Sequence, residues 1–284
     1  MSAQSEAHSS RIFRRFGIAA AAAMALALPA RAGDWIQGPK SEARLVDGGF
    51  HDGARYALVQ LRLAGDAVTY WRDPGEAGAP STFDFAGSDN LGEAEAVYPQ
   101  PKRIDEDGSV AFGYRHEVSF PIRVTPADAG KPVALDLKLD YAVCEKICIP
   151  VHAQLAETLP PQPSTPDSDL LEAALKLVPK ALDADAAARF ATAEAVKPAD
   201  GKPQWRIRIT EGEASDLFVE PPAGFYFEVK PAGEKNVFLL TLVEHPAKRL
   251  RPEAPLRLTV TGPEAAEFDL VLPAPRPDAG RERR

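Results

Sequence analysis

Short runs of alternating apolar and polar residues, separated by turn-forming residues, recur along the sequence up to about residue 165. Successive side chains of a β-strand point to opposite faces, so this alternation indicates strands that are buried on one side. Runs spaced by roughly ten residues and bounded by glycine, proline and aspartate are typical of an antiparallel β-sandwich. The clearest runs are 43–46, 56–63, 67–71, 94–98, 110–124 and 133–141.

The pattern changes after this region. Four prolines in the seven residues from Pro160 to Pro166 predict a stiff, extended linker. A short amphipathic helix is expected over 169–178, because its leucines are spaced for one helical face and Pro179 follows it. Residues 181–196 are rich in alanine and favour a second helix. Strand alternation then returns from Trp205 onward.

These patterns predict an all-β chain with two β-domains of unequal size, joined by a short helical segment. The second domain contains no cysteine, and the residues that follow it are rich in proline and arginine. The predicted divisions are an antiparallel β-sandwich at 33–160, a proline-rich linker with short helices at 161–198, a second, smaller β-domain at 199–274 and a disordered tail at 275–284.

Residues 1–32 have the composition of a secretory signal peptide. Three arginines precede an alanine- and leucine-rich apolar core at 16–28, and Ala30-Arg31-Ala32 fits an A-x-A cleavage site. The alternative is an N-terminal membrane anchor. On the first interpretation the mature chain is exported, either by the Sec or by the twin-arginine route, and we expect it in a bacterial periplasm.

The residues after Ala32 are expected to form a soluble, acidic protein. No apolar run among them reaches the roughly 18 residues that a transmembrane helix needs. They include 29 basic and 40 acidic residues, which gives a net charge of −11. A surface of this sign disfavours nucleic acid and anionic lipid as partners.

Only two cysteines occur in the sequence, Cys144 and Cys148. In an extended strand their α-carbons would lie about 13 Å apart, whereas the α-carbons of a disulfide usually lie roughly 4.4 to 6.8 Å apart. A disulfide therefore requires a turn between them. Closing so short a loop stabilises a fold by only about 2 kcal/mol before strain is counted. The spacing fits better with a bond that opens and closes, or with two thiolates that hold one soft metal ion.

Tyr141, Cys144, Cys148 and Pro150 together resemble the redox loop of the periplasmic N-terminal domain of DsbD-type thiol:disulfide interchange proteins. Upstream motifs resemble the same family in order and spacing, so that the likeness covers about residues 40–155. The Cys-Glu-Lys-Ile-Cys form most resembles the ScsB branch, which is associated with copper tolerance and continues into a second β-domain. DsbD itself has a longer gap between its cysteines. The upstream motifs are Tyr70–Gly75, Phe83–Phe85, Asn90-Leu91 and Tyr98–Arg103.

This resemblance implies an immunoglobulin-like sandwich whose cysteine pair relays electrons to oxidised periplasmic proteins, without a bound cofactor. By family likeness, Cys148 would be the sulfur that links to the downstream partner and Cys144 the one that resolves the mixed disulfide. The implied partners are thioredoxin-like periplasmic proteins and a membrane-embedded electron donor. Neither transmembrane helices nor a thioredoxin C-x-x-C motif follow Ala32. We therefore expect that donor on a separate chain, the alternative being that this chain is a stand-alone relative with a changed function.

Two aromatic residues join the cysteines and Pro150 as candidate site residues. Tyr141 is expected either to pack or to hydrogen-bond near the pair, or to be an ordinary aromatic at a strand end. Trp71 is expected to pack in the first sandwich or to shield the disulfide. For Arg72 and Asp73 we expect a salt bridge within a turn, the alternative being contact with the cysteine loop.

The same sulfurs allow two other interpretations. Cys144, Cys148 and His152 supply two thiolates and an imidazole, a set of ligands suited to Cu(I). Alternatively, the pair forms a structural disulfide in a non-catalytic interaction module. The sequence therefore leaves open whether the chain is enzymatic, as a component of a protein-disulfide reductase. The reduction potential of the pair separates an exchange disulfide from a structural one.

Overall fold

The computed structural model describes residues 33–106, 108–163, 167–247 and 249–276. The predicted signal peptide at 1–32 and most of the predicted tail, 277–284, lie outside the described residues. No helix within the described ranges is both long and apolar enough to cross a membrane. The described chain forms two β-sandwich units that pack against each other.

The first unit is built from strands that form two antiparallel sheets. One sheet has the order β1-β2-β3-β9-β6, and the other has the order β11-β10-β4-β8-β7 with β5 paired to β10. The strands are β1 (Ile36–Gly38), β2 (Ser41–His51), β3 (Ala54–Leu63), β4 (Val68–Gly75), β5 (Thr82–Asp84), β6 (Leu91–Ala96), β7 (Lys102–Glu106), β8 (Ser109–Arg115), β9 (Glu117–Pro126), β10 (Val133–Cys144) and β11 (Cys148–Leu159).

Strand β10 shows how the sequence pattern produces this sandwich. Leu135, Leu137 and Leu139 are buried in the core between the sheets, and the acidic and basic residues between them face outward. The predicted alternation is therefore confirmed. Full burial of each leucine side chain contributes about 1.5 to 3 kcal/mol. Trp71 and Phe120 are among the largest fully buried side chains of the same core.

Two short helices connect the units. Helix α1 (Ser168–Leu175) buries Leu171 and Ala174 on the outer face of the first sandwich. Helix α2 (Ala184–Phe190) begins at Asp183, whose side chain accepts a hydrogen bond from the Ala186 backbone N–H. This contact is a helix N-cap, which stabilises a helix by about 1 kcal/mol. Helix α2 is followed directly by a strand.

The prediction of one helix over 181–196 is therefore wrong in its second half. Strand β13 (Ala191–Ala199) pairs antiparallel with β14 (Lys202–Ile209), with Ala191 opposite Ile209 and Ala195 opposite Trp205. The alanines favour a helix on propensity alone, but in this chain they alternate with polar residues along the edge of a sheet. Burial against the second core overrides the local helix propensity.

The second unit also consists of two sheets, with the orders β12-β19-β18-β15 and β13-β14-β17-β16. Its strands extend from residue 180, so residues 180–198 of the expected linker contribute both strands and a helix to this unit. Its core contains the fully buried Trp205. Its other strands are β12 (Lys180–Ala181), β15 (Asp216–Glu220), β16 (Tyr226–Pro231), β17 (Val237–Glu244), β18 (Leu256–Thr261) and β19 (Ala266–Leu270).

An aromatic and ionic interface joins the two units. Phe218 of β15 packs edge-to-face on Trp71, with ring centroids 5.9 Å apart, and on Phe112 at 4.9 Å. Arg72 forms ion pairs with Glu220 and Glu267 of the second unit. Both expectations for Arg72, a turn salt bridge and a contact with the cysteine loop, are therefore wrong.

Asp73, the other member of the expected turn pair, accepts a hydrogen bond from the Gly75 backbone N–H at 3.0 Å. This is a local turn contact in which a short carboxylate side chain bonds the backbone two residues on. Gly75 has a φ of 77°, in the left-handed region that glycine adopts without steric cost. Asp73 therefore stabilises the bend at the end of β4, while Arg72 extends across the interface.

Candidate functional site

The two cysteines lie at the tip of the hairpin that β10 and β11 form. Cys144 is the last residue of β10 and Cys148 the first of β11, and the two are directly opposite in the strand register. They form a disulfide, with their α-carbons 4.0 Å apart. Residues 145–147 make the turn, in which the Glu145 N–H donates to the Ile147 carbonyl at 3.3 Å. The predicted turn between the cysteines is therefore confirmed.

The two sulfurs have different surroundings. Cys144 is only 2% exposed and packs in a small apolar cluster with Val68, Tyr70 and Ile104. Cys148, at the start of the edge strand, is exposed. Thiol–disulfide exchange requires direct attack of a thiolate on one sulfur, so access decides which sulfur reacts. Of the two sulfurs, only that of Cys148 lies on a residue open to an incoming thiolate, and Cys144 is covered by its apolar neighbours.

Tyr70 contacts the exposed sulfur. It lies on β4 two residues after Val68, which pairs with Cys144. Its hydroxyl lies 3.7 Å from Cys148 Sγ and donates to the Glu106 carboxylate, at 3.0 Å from Oε2. Burial, reinforced by the hydrogen bond and negative charge of Glu106, raises the pKa of Tyr70 far above its ordinary value. The phenol therefore keeps its proton and holds Glu106 beside the disulfide.

Sequence reasoning does not find Tyr70 and selects the neighbouring Trp71 of the same motif instead. The missed signal is the period of the strand. Side chains at 68 and 70 share one face of β4, and Trp71 faces the other side. The pairing of Val68 with Cys144 then places Tyr70 on the side of the sulfurs.

Charged groups surround the turn. Lys40 forms an ion pair with Glu145, which lowers the pKa of that carboxyl, and the Asp66 backbone N–H also donates to it. A cavity of about 140 Å³ beside Cys144 is lined by more carboxylates than cations. A larger cavity, of about 800 Å³, lies between α1, β9 and the second unit and does not include the cysteines. The residues at the smaller cavity are Asp66, Val68, Asp105, Glu106, Arg115, Cys144 and Glu145.

The other candidate residues lie at different distances from the sulfurs. Tyr141 is buried on the opposite face of β10 from Cys144, and its hydroxyl hydrogen-bonds Ser41 Oγ at 2.8 Å. Trp71 is buried in the main core and against Phe218, and no contact with the sulfurs is found for it among the described residues. Pro150 is exposed on β11, an edge strand, where a residue without an N–H is tolerated.

His152 does not lie with the sulfurs. It is four residues beyond Cys148 on the same strand, and a strand rise of roughly 3.3 Å per residue separates their α-carbons by about 13 Å. Its Nδ1 is instead 2.5 Å from Asp140 Oδ1 across the hairpin. Within the described ranges, no group of three or more histidine, cysteine, aspartate or glutamate side chains is arranged to hold a metal ion. The Cu(I) ligand set of Cys144, Cys148 and His152 is therefore not assembled in this hairpin.

The position of Glu106 leads to a first prediction. Its carboxylate and Cys148 Sγ contact the same Tyr70 hydroxyl. A negative charge about 6 Å from a thiolate costs about 3 kcal/mol at an effective dielectric constant of roughly 20. In the reduced protein, Glu106→Gln should therefore speed alkylation of Cys148 by iodoacetamide at neutral pH by about tenfold or more. Mass spectrometry of the alkylated peptide gives the rate.

Glu244→Gln is the matched control, because Glu244 is an exposed carboxylate at the end of β17 in the second unit. This variant should alkylate at the wild-type rate. Equal rates for wild type and Glu106→Gln would show that the carboxylate does not act on the sulfur.

The chain is similar to known proteins in both sequence pattern and fold. The family model of the thiol:disulfide interchange protein DsbD, N-terminal, matches residues 39–160. The N-terminal periplasmic domain of ScsB from Proteus mirabilis is similar in structure, with 18% sequence identity and a TM-score of 0.64. That similarity covers 84% of this chain and 97% of the other, and thus both β-units.

A second match is the solved structure of the reduced N-terminal domain of DsbD from Neisseria meningitidis, with 22% sequence identity and a TM-score of 0.27. The likeness covers 43% of this chain and 89% of that one. No curated protein shows significant sequence similarity to the chain. Residues 39–160 therefore match the family of DsbD-type N-terminal domains, and the chain shares the fold of the ScsB periplasmic domain.

Proposed function

We propose that this chain relays electrons, through Cys144 and Cys148, from a thioredoxin-like donor to oxidised proteins of the bacterial periplasm. The observation that carries the proposal is the asymmetric disulfide, with one exposed and one buried sulfur, at the tip of a hairpin in a DsbD-type domain. A thiol–disulfide exchange domain needs one accessible sulfur to react and a second one within bonding distance to resolve the product.

The exchange proceeds in two balanced steps. A donor thiolate attacks Cys148 Sγ, the bond between the two cysteines breaks, and Cys144 departs as a thiolate that takes a proton from solvent. The second donor thiol then loses its proton and attacks the donor sulfur of the mixed disulfide. This attack releases Cys148 as a thiolate, which takes a proton from solvent. The donor is then oxidised to a disulfide, and this domain has gained two electrons and two protons. In the opposite direction Cys148 attacks an oxidised client and Cys144 resolves the product.

In this role the chain is one component of a protein-disulfide reductase system. We infer that its thioredoxin-like donor is in turn supplied with electrons by a membrane-embedded protein. The periplasmic location is supported by the predicted signal peptide at 1–32 and by the ScsB relative, which is itself a periplasmic domain. The acidic composition disfavours nucleic acid as an alternative partner.

The reduction potential of the cysteine pair tests the proposal. Known exchange proteins have potentials of about −270 to −120 mV, whereas structural disulfides lie below about −300 mV. We expect the Cys144–Cys148 pair within the first range, measured by equilibrating the protein in glutathione or dithiothreitol buffers and alkylating the free thiols. A Cys144→Ser/Cys148→Ser double variant is the blank. A potential below about −300 mV would identify a structural disulfide and refute the relay.

A further inference from the structure

The turn between the cysteines exposes a large apolar side chain. Ile147 is 72% exposed, more than any of the other exposed large hydrophobic residues found within the described ranges, which are Leu177, Leu250 and Val271. An exposed isoleucine forgoes the free energy that burial of its side chain provides. Single exposed apolar residues are common, so exposure alone assigns no role. The position of Ile147, directly before the reactive Cys148, supplies the additional argument.

A protein that forms a mixed disulfide with Cys148 comes close to Ile147. The α-carbons of two bridged cysteines lie roughly 4.4 to 6.8 Å apart, and those of adjacent residues lie about 3.8 Å apart. The Ile147 side chain therefore lies within the contact that surrounds the new disulfide. The exposed Pro150 on β11 adds a second apolar side chain close to the same sulfur. Ile147 is thus placed where a partner could bury it when the exchange reaction reaches its covalent intermediate.

The turn is held in position before a partner arrives. The disulfide closes its base, and the Glu145 N–H donates to the Ile147 carbonyl. The Glu145 side chain is fixed in turn by Lys40 and by the backbone N–H of Asp66. A preorganised contact loses little conformational entropy on binding, so a larger part of the burial energy appears as affinity.

We propose that Ile147 is the anchor of this domain, the apolar side chain by which it recognises its protein partner. This proposal rests on the proposed function. The partner that fits is a thioredoxin-fold dithiol protein with an apolar depression beside its nucleophilic cysteine. Small thiols have no such surface and gain nothing from Ile147. The anchor therefore distinguishes a protein donor from a small-molecule reductant at the same disulfide.

The test compares two reductants on the full chain, reduced thioredoxin and dithiothreitol. Ile147→Ser should lower the second-order rate constant for reduction by thioredoxin by about 10- to 50-fold, the range expected for the loss of one buried aliphatic contact. Ile147→Leu should remain within about threefold of wild type because volume-conserving apolar exchanges are tolerated. Rates with dithiothreitol should change by less than about twofold in every variant, since a small thiol needs no anchor.

Val271→Ser is the matched control, since Val271 is an exposed aliphatic residue in the second unit. It should leave both rates unchanged. Equal losses of rate with both reductants would mean that the substitution distorts the turn, and an unchanged thioredoxin rate would mean that Ile147 is not an anchor. Either result overturns the proposal. If wild type reacts with dithiothreitol but with no thioredoxin-fold donor, the relay function itself fails, and the anchor fails with it.

Discussion

Cys144→Ser should trap a thioredoxin-fold partner on Cys148 as a stable mixed disulfide, and Cys148→Ser should trap almost none. In the first variant the exposed sulfur still attacks, but the buried thiol that would resolve the product is missing. In the second, the remaining thiol of Cys144 is 2% exposed and packed among apolar side chains. A thiol buried in this way is disfavoured as a thiolate and is inaccessible to a partner.

We expect the yields of trapped complex to differ by at least about tenfold, because reactivity follows the thiolate fraction and access of each sulfur. The measurement mixes each reduced variant with an oxidised thioredoxin-fold protein, followed by non-reducing electrophoresis and mass spectrometry of the cross-linked peptides. The Cys144→Ser/Cys148→Ser variant is the blank. Higher yield from Cys148→Ser than from Cys144→Ser would reverse the roles assigned to the two sulfurs.

Folding of the variants must be equivalent for this comparison. A serine at position 144 places a hydroxyl in an apolar cluster, which costs about 1 to 3 kcal/mol when the hydroxyl lacks a partner. Cys144→Ala avoids this cost and should trap with the same yield. Thermal unfolding followed by circular dichroism checks that each variant is folded at the temperature of the trapping reaction.

The local features of the site were predictable from the sequence. The need for a turn between Cys144 and Cys148 follows from disulfide geometry, and the alternation of β10 follows from the period of a strand. The period of the strand also accounts for the position of Tyr141. Tyr141 and Cys144 are three residues apart, so on one strand their side chains face opposite sides of the sheet. This parity explains why Tyr141 contacts Ser41 and not the disulfide.

The long-range features could not be read from the sequence. Tyr70 meets Cys148 across 78 positions of the chain, and Arg72 meets Glu220 across 148. Both contacts depend on which strands pair and on how the two units pack, and no local pattern encodes either. Strand β13 also depends on a pairing that no local pattern encodes. Its alanines favour a helix by themselves, and pairing with β14 makes the segment a strand.

The ion pairs of Arg72 connect the second unit to the redox site. Tyr70, which contacts Cys148, lies two residues before Arg72 on strand β4. Arg72 donates to both carboxylate oxygens of Glu220, at 3.0 and 2.6 Å, and also to Glu267. Burial lowers the pKa of Arg72, but the hydrogen bonds and charges of these two carboxylates raise it more, so the guanidinium stays charged. The second unit therefore helps to hold β4, the strand whose Tyr70 contacts the sulfur of Cys148, in position.

Arg72→Met should lower the free energy of unfolding by about 2 to 4 kcal/mol, because removal of one partner from a largely buried ion pair leaves uncompensated charges. Methionine keeps an unbranched apolar stem in a position where the guanidinium now lies 4.6 Å from the centroid of the Trp71 ring. The loss therefore reports mainly on Glu220 and Glu267, whose side chains are only 25% and 20% exposed. Urea unfolding followed by tryptophan fluorescence measures it.

A double-mutant cycle isolates the interaction. Arg72→Met leaves two carboxylates without their cation, and Glu220→Gln removes the charge of one of them. The double variant should therefore be more stable than the sum of the two single losses predicts, by about 1 kcal/mol or more. Arg208→Met is the matched control, because its ion pair with Glu234 is about half exposed and exposed ion pairs contribute little to stability. Additive losses at Arg72 and Glu220, or a loss at Arg72 no larger than that at Arg208, would show that these ion pairs do not hold the two units together. The interface would then depend on its other contacts, among them the packing of Phe218 against Trp71 and Phe112 and the ion pair of Arg103 with Asp216.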